Sequence, residues 1–138
     1  MERRACQRKA KKNFAKCFGW RCLVTGITDR NLLKGSHIKD FAFCTPAEAV
    51  SAYNGILLSA QLDDFFNQKL ISFDNNGDLI KSPLLSESHL KTFNIKYPYN
   101  YGAFPPGFHA NLAWHRAALE EKVLKENKKK AKKKAKNS

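Results

Sequence analysis

Residues 54–70, NGILLSAQLDDFFNQKL, change their period part-way along, and that change decides the fold. Asn54-Gly55 is a turn signal, because both residue types tolerate a left-handed backbone. ILLS follows at 56–59 and reads as a short buried strand. From Ala60 the spacing becomes helical: Leu62, Phe65, Phe66 and Leu70 define one apolar face. Asp63 and Asn67 are four apart, so they share a different face. A strand therefore runs straight into a short helix that displays a carboxylate and an amide side by side.

Toward the N-terminus, NLLKGSHI is a short extended piece ending on His37. DFAFCTPAEAVSAY then reads as a loop with a helical turn after Pro46. WRCLVTGI is β-prone and closes on Gly26. Residues 1–18 place basic side chains around Ala5, Cys6, Ala10, Phe14, Ala15 and Cys17, with no Gly or Pro before Gly19. This predicts a basic helix with a weakly apolar face.

Toward the C-terminus, LISFDNNGDLIKS is a hairpin built on Asn-Asn-Gly. Its acidic residues are not a calcium loop, since the twelfth position from Asp74 is Leu85 and not Glu. SESHLKTF predicts a short helix capped by Ser86, and residues 97–107 an irregular loop rich in Tyr, Pro and Gly. A helix starting at Phe108 sets Leu112, Trp114, His115, Leu119, Val123 and Leu124 at helical-face spacing. It runs into KENKKKAKKKAKNS, whose like charges predict a tail that is disordered or partly helical without a polyanion. The chain thus divides into a basic helix (1–19), one folded domain (20–124) and a Lys-rich tail (125–138).

Charge narrows the function. Of 138 residues, 25 are Lys or Arg and 12 are Asp or Glu, a formal net charge of +13. Such an excess calls for a polyanionic partner, and nucleic acid is the usual one. An anionic membrane surface is the rival, but the N-terminal segment offers only Phe14 and Phe18 for insertion. No run of about 18 apolar residues exists, which excludes a transmembrane helix on length. The N-terminus also lacks the apolar core of a signal peptide. Cys6, Cys17, Cys22 and Cys44 have poor zinc-ribbon spacing and read as reduced thiols of a cytoplasmic protein.

The order strand, strand, helix brings His37, Asn54 and the Asp63/Asn67 pair toward one another. A one-metal phosphodiesterase requires that set. A hard divalent cation neutralises the phosphate and stabilises the leaving oxygen. Asp and Asn oxygens suit Mg²⁺, and a neutral histidine can take a proton from the attacking water.

At CLVTG (22–26), SHI (36–38), NGILLS (54–59), the Leu62-Asp63…Phe66 helix and LISFDNNG, the chain resembles the HNH endonuclease family. It is most similar to the branch that forms the C-terminal domain of many restriction-type enzymes. NLAWHRAALEE (111–121) resembles the Leu-x-x-His-Arg closing helix of that branch. The resemblance spans residues 20–120. It implies an α+β domain with a ββα-metal core, flanking helices and an extra β-hairpin. It implies metal-dependent hydrolysis of DNA, with Mg²⁺ first and Mn²⁺ or Ni²⁺ as substitutes. His37 would be the general base. Asn54 would brace the loop that carries it, or touch the metal. Asp63 and Asn67 would be metal ligands. His115 and Arg116 would support the site or contact phosphate. Apart from the resemblance, the basic charge makes Lys39, Arg3 and Arg4 further candidate DNA contacts.

Relatives usually carry Asp at the position of Asn67, and many carry His near Gln61 or Leu62. A neutral amide is the weaker ligand. The alternative function is accordingly an HNH-fold DNA- or RNA-binding protein with impaired turnover. The chain is too short for a separate recognition module, so the implied partners are duplex DNA and either a second copy or a separate specificity subunit.

Overall fold

The computed structural model describes residues 3–137; residues 1–2 of the expected N-terminal helix and 138 of the expected tail lie outside the described residues. The fold is α+β. Helix α1 (Arg3–Phe18) is followed by strand β1 (Leu33–His37), a single helical turn α2 (Pro46–Ala49), strand β2 (Gly55–Ser59) and helix α3 (Ala60–Asn67). Strands β3 (Ile71–Phe73) and β4 (Leu79–Lys81), helix α4 (Glu87–Thr92) and helix α5 (His109–Lys136) complete it.

Strands β1 and β2 pair antiparallel, from Leu33 opposite Ser59 to His37 opposite Gly55. Every residue of β2 is buried, as the uninterrupted ILLS run requires. Helix α3 begins at the residue after β2, so it lies against the hairpin it has just left. Strands β3 and β4 form a second antiparallel pair.

Helix α1 belongs to the core. Cys6, Ala10, Phe14 and Ala15 are its buried face. The Phe14 ring fills a notch left by missing side chains: a Cβ built on Gly55 would lie 2.1 Å from it. At Gly35 a Cβ would meet the Lys11 Cα at 3.3 Å. Gly55, the first residue of β2, therefore seats α1 on the strands. Phe66, Phe73 and Phe108 fill the centre, and Leu112, His115 and Leu119 of α5 seal it.

Two expectations are corrected. Residues 20–27 form no strand. Gly26 N–H donates to Cys22 O at 3.0 Å, Cys22 N–H to Ile27 O at 2.8 Å and Thr25 N–H to Cys22 Sγ at 3.3 Å, so the run closes on itself. Leu23 N–H reaches the sheet at Leu57 O, and Cys22 Sγ at Ser59 Oγ. The Lys-rich segment, expected as disordered or partly helical, is helical as far as Lys136, because α5 continues through it. It extends a helix already nucleated by the core, and Ala and Lys are strong helix formers. Glu121–Lys125 and Glu126–Lys129 pairs at 3.1 and 3.7 Å offset some of the repulsion. Among the described residues no helix is long and apolar enough to cross a membrane.

Candidate active site

Strand β1 pairs on one side only, and a cleft of about 810 Å³ follows its other edge. Helix α1 contributes Arg3, Arg4, Arg8 and Lys11; β1 contributes Lys34 and His37; α3 contributes Asp63 and Asn67. The fold thus gathers five of the expected site residues, His37, Asp63, Asn67, Arg3 and Arg4, around one space. Arg8, Lys11 and Lys34 were not singled out from the sequence. Their signal was there: Arg4, Arg8 and Lys11 recur at helical spacing beside the buried Ala10–Phe14 stripe.

His37 Nε2 lies 2.7 Å from Ala49 O. A carbonyl only accepts, so Nε2 carries the hydrogen and the neutral ring keeps its lone pair on Nδ1. Nδ1 makes no hydrogen bond to protein among the described residues. Phe14 and Phe41 meet the ring edge-on, at centroid distances of 5.1 and 5.6 Å. One carbonyl and two aromatic walls therefore fix both the orientation and the tautomer.

Asn54 is 1% exposed and does not line the cleft. Its Oδ1 accepts from Lys39 N–H at 2.8 Å, and its Nδ2 donates to Glu48 O at 3.1 Å and toward Cys44 Sγ at 3.2 Å. Ile38 N–H donates to Asn54 O at 3.1 Å. These bonds pin both ends of the segment from Lys39 to Glu48, next to Ala49, whose carbonyl holds His37. Of the two roles expected for Asn54, the geometry is that of the brace and not of a metal contact, because its polar atoms are spent inside the loop.

The loop has a second tie. Thr45 Oγ1 accepts from Glu48 N–H at 3.2 Å, and Glu48 Oε1 accepts from Thr45 N–H at 3.0 Å, a reciprocal cap on α2. Lys39 Nζ sits 2.9 Å from Glu48 Oε2. The Thr45 backbone N–H, helped by Lys39, lowers the Glu48 carboxyl to about 2. Lys39, expected as a DNA contact, is instead ion-paired here and lies off the cleft wall.

Asp63 Oδ1 accepts from Ser36 Oγ at 2.5 Å and from Asn67 Nδ2 at 3.1 Å. Ser36 is buried beside His37 in β1, so it couples the strand to the helical carboxylate. Its part was missed, because a serine in a strand carries no signal of its partner. Asp63 Oδ2 has no protein partner among the described residues. The donor set can be tested against a hard cation. Two cis ligands of an octahedron with bonds of about 2.1 Å lie roughly 3.0 Å apart. Asn67 Nδ2 donates to Asp63 Oδ1 across 3.1 Å, so the amide must turn its oxygen inward before the two side chains can share a cation. Among the described residues no three His, Cys, Asp or Glu side chains converge on a metal position. A cation held by this pair alone would keep several waters and take further oxygens from its substrate.

His115 and Arg116 require correction as phosphate contacts. His115 is 0% exposed and stacks on Phe66 at 3.9 Å. Its Nε2 donates to Phe66 O at 2.9 Å, which leaves Nδ1 to accept from Ser72 Oγ at 2.8 Å. Burial lowers its pKa to about 4, so the ring is neutral. Arg116 donates to Phe73 O at 3.0 Å and Asn75 Oδ1 at 3.2 Å, tying α5 to the hairpin turn. Through Phe66 O, His115 is tied to α3 between Asp63 and Asn67, whereas Arg116 is tied to the β3–β4 turn.

Asp40, on the cleft rim, pairs with Lys69 at 2.8 Å. Lys69 adopts φ +60° just beyond α3, and its ammonium also reaches Asn67 O at 2.9 Å. This fixes the C-terminal end of the helix carrying the oxygen pair.

Residues 22–74 match the HNH endonuclease family. The HNH segment takes in β1, β2, α3 and β3, together with His37, Asn54, Asp63 and Asn67. It excludes α1 and α5, which supply the basic wall of the cleft and the buried His115. No curated protein matches the chain.

Proposed function

We propose that this chain is a divalent-metal-dependent endonuclease that hydrolyses DNA phosphodiester bonds, with β1, β2 and α3 as a ββα-metal core. The observation that carries the reading is the state of His37. Its Nε2 is committed to Ala49 O and its Nδ1 is free, in a cleft it shares with Asp63. A base needs that free lone pair, held in one orientation. In this scheme Nδ1 takes the proton of the water that attacks phosphorus. Arg4, Arg8 and Lys11 hold the phosphates of the bound strand. Asp63 and Asn67 hold Mg²⁺, Mn²⁺ or Ni²⁺, which when bound neutralises the phosphate and stabilises the leaving oxygen. Ser36 fixes Asp63, and Asn54 fixes the loop behind His37.

The decisive experiment incubates supercoiled plasmid with the protein in Mg²⁺, Mn²⁺ or EDTA, beside a His37→Ala variant. Metal-dependent nicking that disappears in the variant is expected. One observation favours a second reading, an HNH-fold protein that binds without turnover: Asp63 Oδ1 is already engaged by Ser36 and by the neutral Asn67. Salt-dependent plasmid binding with no nicking in any metal would establish that reading instead.

A further inference from the structure

A second groove, of about 570 Å³, lies between the Cys22–Gly26 turn, the end of α4 and the Tyr-rich loop. Its lining includes Arg21 and Lys96 and no acidic side chain. Two of its aromatic rings face solvent, Phe93 at 39% and Tyr99 at 45% exposure. Each has an aromatic neighbour. Phe65 meets Phe93 edge-on at 5.6 Å, and Tyr101 meets Tyr99 at 4.8 Å. Tyr101 Oη in turn donates to Lys96 O at 2.7 Å, which fixes the backbone of that lysine. Lys96 Nζ lies over the Tyr99 ring, 5.0 Å from its centre, so a base that stacks on that face displaces the ammonium toward its phosphate.

Rigid, exposed aromatic faces beside cations, with no carboxylate among them, are what unpaired bases and their phosphates require. A duplex hides its base faces and cannot use such rings. We propose that this groove binds single-stranded DNA, with bases stacked on Phe93 and Tyr99 and phosphates against Arg21 and Lys96. A chain of contacts joins it to the cleft. Lys11 of the cleft wall donates to Arg30 O at 3.1 Å, and the Arg30 guanidinium stacks 4.1 Å over Trp20. Arg21 follows Trp20 and opens the groove. A strand leaving the cleft past Lys11 would meet cations and an indole along its way. The choice of DNA rests on the nuclease reading, whereas binding in the groove needs neither metal nor cleavage.

The test is fluorescence anisotropy in EDTA, with labelled oligo-dT and with a labelled duplex. It compares the wild type, a Phe93→Ala/Tyr99→Ala variant and a Tyr99→Trp variant. Stacking of one base contributes roughly 5- to 150-fold in affinity, so the double variant is expected to lose at least about tenfold on oligo-dT. Its duplex affinity should stay within about twofold, the stacking contribution being absent there. Tyr99→Trp should retain oligo-dT binding and gain an indole fluorescence that oligo-dT quenches beyond the wild-type signal. Undiminished oligo-dT binding by the double variant, equal losses on both forms of DNA, or an unquenched Tyr99→Trp would each overturn the proposal. Failure of the nuclease reading appears separately, as absent plasmid nicking.

Discussion

Replacing Gly55 with alanine tests how α1 is held on the site. The added Cβ would lie 2.1, 2.3 and 2.3 Å from three carbons of the Phe14 ring. Carbon atoms in contact prefer about 3.5–4.0 Å, so the ring must withdraw by roughly 1.5 Å. It has nowhere to go, being 1% exposed. Gly55 lies in a regular strand and has no positive φ, so alanine suits its backbone and the effect isolates the collision. Overpacking of this kind costs about 1–3 kcal/mol, and the depth of the overlap places Gly55→Ala at the upper end. Phe14→Ala alone should cost about 3–5 kcal/mol by leaving a cavity. In the double variant the new methyl enters the vacated space. The combined loss should then fall short of the sum of the single losses by at least about 1 kcal/mol. Urea unfolding followed by Trp fluorescence gives all three values. Additivity within about 0.5 kcal/mol, or a neutral Gly55→Ala, would refute the account of the notch.

Two further outcomes follow from buried polar groups. His115 has a folded pKa of about 4 against an ordinary 6.5, so its neutral form is the folded one. Its contribution is fully present above pH 6.5 and declines as pH falls toward 4, by roughly 2 kcal/mol at pH 5. Urea midpoints at pH 7, 6 and 5 should therefore converge for His115→Gln relative to wild type, and parallel profiles would count against it. Asn54→Ala removes the acceptor of the part-buried Lys39 N–H, at about 1–3 kcal/mol for a group left unpaired, whereas Glu48 O keeps Ser51 N–H as a donor. The Lys39 amide should lose its protection from hydrogen exchange, and unchanged protection would show that the loop has another brace.

Between Leu33 and Lys81 the elements were legible because their periods are clean and their ends are punctuated. Pro46 starts α2, Asn54-Gly55 marks the start of β2, and Leu62 and Phe66 repeat at one helical turn in α3. The closeness of His37 and Asp63 was legible only through the order strand, strand, helix. Elsewhere, local preference and tertiary context part company. The Cys22–Ile27 run has β-prone residues, but most of its hydrogen bonds close within the turn. Like charge in the Lys-rich segment argued against helix, and continuity with α5 prevailed. A histidine on a helix reads alike whether it faces solvent or Phe66, so the burial of His115 left no trace in the spacing. The same holds for Gly55, since a turn and a notch for Phe14 ask for one residue type.

The segment that carries the family pattern, 22–74, is smaller than the body that can exclude water from its own interior. Phe14 comes from before it, and Phe104, Phe108 and Leu112 from after it, yet all four are part of the same core. A fragment trimmed to the pattern would present Phe66 and Phe73 to solvent, and exposed patches of that kind drive aggregation. Insolubility of such a fragment would reflect the missing outer helices, and would carry no information about whether His37 and Asp63 can cut DNA.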